Sequence, residues 1–233
     1  MVEIDGLTLA PEKAVIVGDT AIIADLHLGI ENVVQDYGIT VPRLQIREIT
    51  RSVKSIVKRY GISRLVVAGD LKHEFGRNLP YEWDDVESFL ETFTSMDVEI
   101  EIVRGNHDNF LATILSRYGV ELKESVSVSG WTVLHGHTEI NAERMIMGHE
   151  HPGIRIRSGG GVYSYPCFLH VKERNIIVLP AFSPLTPGID ILSTDSFLSP
   201  ILKVDIENVE VYAVEDRVVY LGRVRDIRKA LRV

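Results

Sequence analysis

Cysteine is nearly absent from this sequence. Cys167 stands alone, so no intramolecular disulfide can form, and a reducing, cytoplasmic setting is expected. No apolar run reaches the ~18 residues that a membrane-spanning helix needs, so no membrane association is expected. The opening stretch MVEIDGLTLAPEKAVIVGD has no basic segment ahead of an apolar run and does not read as a secretory signal. Low-complexity tracts, long linkers and repeats of solenoid period are missing too. Positive charge is short: 25 Lys and Arg face 33 Asp and Glu, a formal net charge of −8. That argues against holding nucleic acid on a broad basic surface. It leaves open a nuclease whose site is cationic because metal ions sit there. One basic run, residues 217–232, sets Arg217, Arg223, Arg225, Arg228, Lys229 and Arg232 against Asp226 and reads as a solvated helix face.

What is present is ordinary globular composition, 45% hydrophobic and 25% charged over 233 residues. The whole of 1–233 is read as one domain. Strands are predicted at Ala14–Val17, Ala21–Ala24 and Arg64–Asp70, and in VEIEIVRGNHD. Helices are predicted over Pro42–Tyr60, Tyr81–Met96 and Phe110–Tyr118, the first and third closed by Gly61 and Gly119. The second half offers short strands in WTVLHGH, RMIMGHEH, CFLHV, NIIVLPAF, NVEVYAV and RVVYLGRV. A β-α-β-α-β half followed by a β-rich half predicts an α/β sandwich of two face-packed sheets with helices outside.

Histidine is sparse, 8 in all, yet His135, His137, His149 and His151 crowd into HGHTEINAERMIMGHEH. The predicted strands end in polar residues: Asp25 and His27, Asp70, Asn106 and His107, His135, then His149 and His151. In α/β sheets the carboxyl ends of strands share one edge, where ligands bind. Carboxylate, amide and imidazole donors without thiolate suit Mn²⁺, Fe²⁺ or Zn²⁺. Seven or more such donors are too many for one tetrahedral ion and fit two ions sharing a carboxylate. On an extended segment the i, i+2 spacing of His149 and His151 points both rings the same way, so each can serve one of two adjacent ions. His170, in CFLHVKE, has no such neighbours and reads as structural.

The segments DLH (25–27), GD (69–70), GNHD (105–108), HG (135–136) and GHEH (148–151) resemble, in order, the five motifs of the calcineurin-like metallophosphoesterases. DLHLGIE, GDLKHEF and LPAFSPLTPG further resemble a subgroup of archaeal ICC-like phosphoesterases and the bacterial ligase-associated DNA damage response endonuclease. The resemblance implies a four-layer α/β/β/α sandwich with a di-metal site at the carboxyl ends of the strands. One ion would take Asp25, His27, Asp70 and His151, the other Asp70, Asn106, His135 and His149, with Asp70 bridging. Mn²⁺ ranks first, with Fe²⁺, Zn²⁺ or Ni²⁺ as alternatives. His107 would donate a proton to the leaving oxygen and Asp108 would orient it; His73, His137 and Arg104 are candidate substrate contacts. The implied reaction is phosphodiester hydrolysis by a hydroxide bridging the ions, with nucleic acid as one candidate substrate. Alternatives are a phosphomonoesterase, a small cyclic-nucleotide phosphodiesterase, or a non-catalytic scaffold of the same fold.

Overall fold

The computed structural model describes residues 1–32, 44–76 and 79–231. Val2–Ile4 (β1) and Leu7–Ala10 (β2) form a hairpin, followed by Ala14–Val17 (β3) and Thr20–Ile23 (β4). The short alternation in β1 and β2 gives too little signal in the sequence to mark them as strands. Arg64–Ala68 (β5), Glu99–Val103 (β6) and Leu122–Lys123 (β7) complete a sheet in the order β1-β2-β3-β4-β5-β6-β7, parallel from β4 to β7.

Helix α1 (Gln45–Tyr60) links β4 to β5, and α2 (Pro80–Thr94) links β5 to β6. Along α1, Gln45, Ile49, Val53 and Ile56 are buried at helical spacing, and Gly61 closes it at φ 65° with its N–H on the Val57 carbonyl. The first residues of the predicted helix, 42 and 43, lie outside the described residues. The third predicted helix is a single α-helical turn, α3 (Leu111–Leu115), tightened into a 3₁₀ turn over Ser116–Tyr118.

The second sheet comprises Val126–Val128 (β8), Trp131–Leu134 (β9), Met145–Met147 (β10), Pro152–Ser158 (β11), Gly161–Val171 (β12), Ile176–Val178 (β13) and Ile189–Asp190 (β14). Its order is β14-β11-β12-β13-β10-β9-β8, with Glu210–Val214 (β15) on β12 and Val218–Arg223 (β16) on β15. The outer half of β12 is largely exposed, so it carries none of the burial signal that marks CFLHV.

Three apolar clusters define the layers. Strand β5 sends Leu65 and Val67 against α1 and α2, while Val66 and Ala68 face the second sheet. Strand β10 sends Ile146 into the intersheet cluster, and Met145 and Met147 outward against Ile201, Leu202 and Ile227. Ile227 belongs to helix α4 (Val224–Leu231), which completes the four-layer α/β/β/α sandwich. Such two-sided burial explains why the central strands read as unbroken apolar runs. Within the basic run, Arg228 is anchored rather than solvated: it donates to the carbonyls of Leu192 (3.1 Å) and Thr194 (2.5 Å). Arg232 lies outside the described residues. No described helix is long and apolar enough to cross a membrane.

Candidate metal centre

Five strand ends converge. Asp25 and His27 follow β4, Asp70 follows β5, and Asn106 and His107 follow β6; His135 and His137 follow β9, and His149 and His151 follow β10. Asp25, His27, Asp70 and His151 each place a donor atom within 4.8 Å of the others. His27 Nε2 is 3.3 Å from His151 Nε2 and 3.9 Å from Asp70 Oδ2, and Asp25 Oδ1 is 3.3 Å from His151 Nε2. On the other flank, Asp70 Oδ2 is 3.5 Å from His135 Nε2, which lies 3.0 Å from Asn106 Oδ1. The His149 ring centre sits 4.9 Å from that of His135. Asp70 thus stands between two donor groups, and all seven expected positions are brought together.

The backbone is bent to achieve this. Asp25, His27, Asp70, His149 and His151 have φ of 58°, 48°, 51°, 72° and 44°. Left-handed non-glycine residues cost on the order of 1–3 kcal/mol each and cluster at functional sites. Cross-links between loops hold them: the Asp25 N–H donates to the Gly69 carbonyl (3.1 Å), the His27 N–H to the Asp70 carbonyl (3.0 Å) and the His149 N–H to Asp25 Oδ2 (3.1 Å). These angles overturn one expectation. His149 and His151 do not sit on an extended strand with rings aligned, because β10 ends at Met147. Left-handed turns aim His149 toward His135 and His151 toward Asp25. Close approach also demands glycine: a Cβ on Gly105 would strike the Asp70 carboxylate and amide.

Burial pushes the His27 imidazole down to about 3 and that of His149 down to about 4. Burial raises the Asp25 carboxyl, but His151, His135 and His27 together draw it down to about 2. Near neutral pH the His27 and His149 imidazoles are uncharged and Asp25 is ionised, the protonation that metal ligation requires. Donor chemistry and spacing therefore fit divalent ions.

A family model described as calcineurin-like phosphoesterase matches residues 19–206, a span containing every one of these loops. The chain belongs to the calcineurin-like phosphoesterase family. The structure of Pseudomonas putida nuclease MPE aligns over 94% of this phosphoesterase and 98% of that chain, at 20% identity and a TM-score of 0.69. YfcE, a phosphoesterase from E. coli, aligns over 88% and 97% at 15% identity and a TM-score of 0.41. No curated protein matches the sequence significantly.

Around the donors, the phosphoesterase places the remaining expected residues less uniformly. His107 stacks on His73 with ring centres 5.6 Å apart, and its Nδ1 meets the His73 carbonyl. His73 and His107 also approach His27 closely enough to make a third donor group. His137 lies 5.2 Å, ring to ring, from His135, with its Nδ1 buried and unpartnered. Arg104 is held at the surface by Glu124 (3.1 Å). Asp108 corrects the sequence reading: its fully buried carboxylate does not reach His107 but accepts the N–H groups of Gly105 (2.8 Å), Asp70 (2.9 Å) and Leu71 (3.0 Å). It therefore ties the Asp70 loop to the Asn106 loop. Asp108→Ala leaves those amides without their acceptor, each costing about 1–3 kcal/mol. The expected loss of unfolding free energy is about 3 kcal/mol or more, measured by urea denaturation; a loss within about 0.5 kcal/mol would refute the tie.

Three further residues support the phosphoesterase loops. The Gln45 side-chain amide donates to the carbonyls of Leu26 (3.0 Å) and His27 (2.9 Å) and to Ser183 Oγ (3.0 Å). A glutamine in register with the apolar face of α1 was the available signal. Lys13 Nζ donates to the carbonyls of Ala181 (3.0 Å) and Phe182 (2.6 Å), bracing the segment whose Ser183 N–H reaches the Asp25 carbonyl (3.2 Å).

Proposed function

We propose that the protein hydrolyses phosphodiesters, nucleic acid among them, with two divalent ions. Asp25, His27, Asp70 and His151 hold one ion, and Asp70, Asn106, His135 and His149 hold the other. Asp70, with its Oδ2 between the two groups, supports the shared position. Mn²⁺ is the first choice for this oxygen and nitrogen set, and Fe²⁺, Zn²⁺ or Ni²⁺ are compatible with it. Bound there, the ions supply Lewis acidity toward water and the phosphoryl oxygens.

His107 is the observation that carries the hydrolytic reading. Its Nδ1 faces a carbonyl acceptor and so bears a proton, which leaves Nε2 as the nitrogen that gains and gives up a second one. An alkoxide leaving group needs a proton as it departs, and a positioned imidazole can donate it. The stack on His73 fixes the ring. A monoester dianion would call for additional fixed cations. Among the described residues, Arg104 is engaged by Glu124 and the fully buried Lys72 lies 4.0 Å from Glu82, which supports the singly charged diester. The apolar cluster shared by both sheets supports one domain over 1–233, and the lone buried Cys167 supports a reducing cytoplasmic setting.

Elemental analysis of protein never exposed to chelator is expected to find two divalent ions per chain. Activity with Mn²⁺ is expected to be greater on bis(p-nitrophenyl) phosphate than on p-nitrophenyl phosphate. A stoichiometry of one or none would sink the two-ion reading, and a reversed preference would make the enzyme a monoesterase.

A further inference from the structure

Helix α1 carries a second charged feature, separate from the metal loops. Arg47, Arg51, Lys54 and Lys58 are exposed and line one wall of a groove of about 760 Å³ between α1 and α2. Other polar groups lining it are hydroxyls, Ser55 and Thr92 among them, and among the described residues no carboxylate lines it. Two acids of α2 are engaged elsewhere: Glu87 pairs with Arg117 at 2.9 Å, and Glu91 accepts from the Tyr118 hydroxyl at 3.0 Å. Among the described residues, none of the four cations forms an ion pair. Arg47–Arg51 and Lys54–Lys58 are like-charge i, i+4 pairs, which weaken a helix unless something neutralises them. An ordinary solvated helix interleaves its signs, whereas this one gathers its cations in a concavity of a chain whose net charge is −8.

The position of the groove bears on the active loops. Strands β4 and β5 are parallel, so α1 runs antiparallel to them and begins at the edge where the donors gather. Gln45, two residues before Arg47, is hydrogen-bonded to the His27 carbonyl. From Arg47 to Lys58 the cations extend about 17 Å along the helix at ~1.5 Å per residue. A row of cations and hydroxyls starting at a hydrolytic site matches a polymer with regularly spaced phosphates.

We propose that this groove binds the sugar-phosphate backbone of a nucleic acid strand leading to the metal loops. The proposal rests on the diester reading of those loops and adds to it the surface that would hold a polynucleotide substrate. The test substitutes two exposed cations in the intact enzyme, Arg51→Glu with Lys54→Glu. Anisotropy of a fluorescein-labelled single-stranded phosphorothioate oligonucleotide is followed across a salt series, beside turnover of an unlabelled oligonucleotide and of bis(p-nitrophenyl) phosphate. Affinity is expected to fall at least about tenfold, and the slope of log K against log salt by about 1.4, since each phosphate contact on a single strand contributes ~0.7. The loss on the oligonucleotide should exceed any loss on the small diester by tenfold or more.

Undiminished affinity in the variant would overturn the groove. So would a wild-type enzyme that hydrolyses the small diester yet neither binds nor cuts the oligonucleotide, and this outcome leaves diester hydrolysis standing. Groove-dependent binding without hydrolysis of any diester would keep the groove and remove the diester reading. Retention on phosphatidylserine vesicles with no oligonucleotide binding would make the groove a membrane contact and overturn the proposal.

Discussion

Asp70→Asn is expected to strip the protein of bound metal and of activity together, more severely than a change at any other single donor. The Asp70 carboxylate lies 3.9 Å from His27 Nε2 on one flank and 3.5 Å from His135 Nε2 on the other, and its Oδ1 accepts the His107 N–H at 2.9 Å. An amide of the same shape keeps an acceptor oxygen but brings no negative charge to either ion. Loss of an outer partner of a metal ligand costs about 10–100-fold. Loss of the shared carboxylate should exceed that, with both ions lost by elemental analysis and no rescue by millimolar Mn²⁺. Asn is nearly isosteric, so the fold should survive, checked by an unchanged far-ultraviolet dichroism spectrum. A variant that retained two ions and normal turnover would show that Asp70 is not shared.

His107→Ala separates proton donation from ligation. With both ions retained, turnover of an alkyl phosphodiester should fall by about 10²–10⁴-fold, the usual contribution of general acid catalysis. On an aryl diester with a p-nitrophenolate leaving group the defect should shrink, because that anion departs without a proton. Equal defects on the two substrates would remove His107 from the donor role. Loss of an ion would make it a ligand, which the close approach of His27, His73 and His107 makes a concrete alternative to exclude.

The donors were legible because each interrupts an apolar strand at its carboxyl end, and those ends must share an edge in an α/β sandwich. The supports were not legible, for a physical reason. Asp108 follows His107 directly, so sequence proximity pairs them. Its carboxylate instead serves the amides of Asp70 and Leu71, 38 and 37 positions away. Such a partnership depends on how two loops pack, which periodicity does not encode. His149 and His151 teach the same lesson: their spacing was informative, but the left-handed turns that separate their rings leave no trace in residue type. Lys13 was equally silent, since its partners are backbone carbonyls that any residue could provide. The basic stripe of α1 lay within a helix whose apolar face alone was read. The concavity that gives the stripe meaning exists only once α2 packs beside it.

Asp25, His27, Asp70 and Asn106 belong to loops of the first sheet, while His135, His149 and His151 belong to loops of the second. The two sheets are like the covers of a book, joined along their faces chiefly by greasy contact and tied at one margin by polar links such as His149 N–H to Asp25 Oδ2, where bound metal would add a clasp. Each ion present at a hundred times its dissociation constant would add about 2.7 kcal/mol to the folded state. That energy acts across the intersheet seam rather than within either cover. Chelation would therefore loosen the margin first, leaving helices and sheets intact. In such a molecule catalytic competence and the alignment of the two halves become a single property.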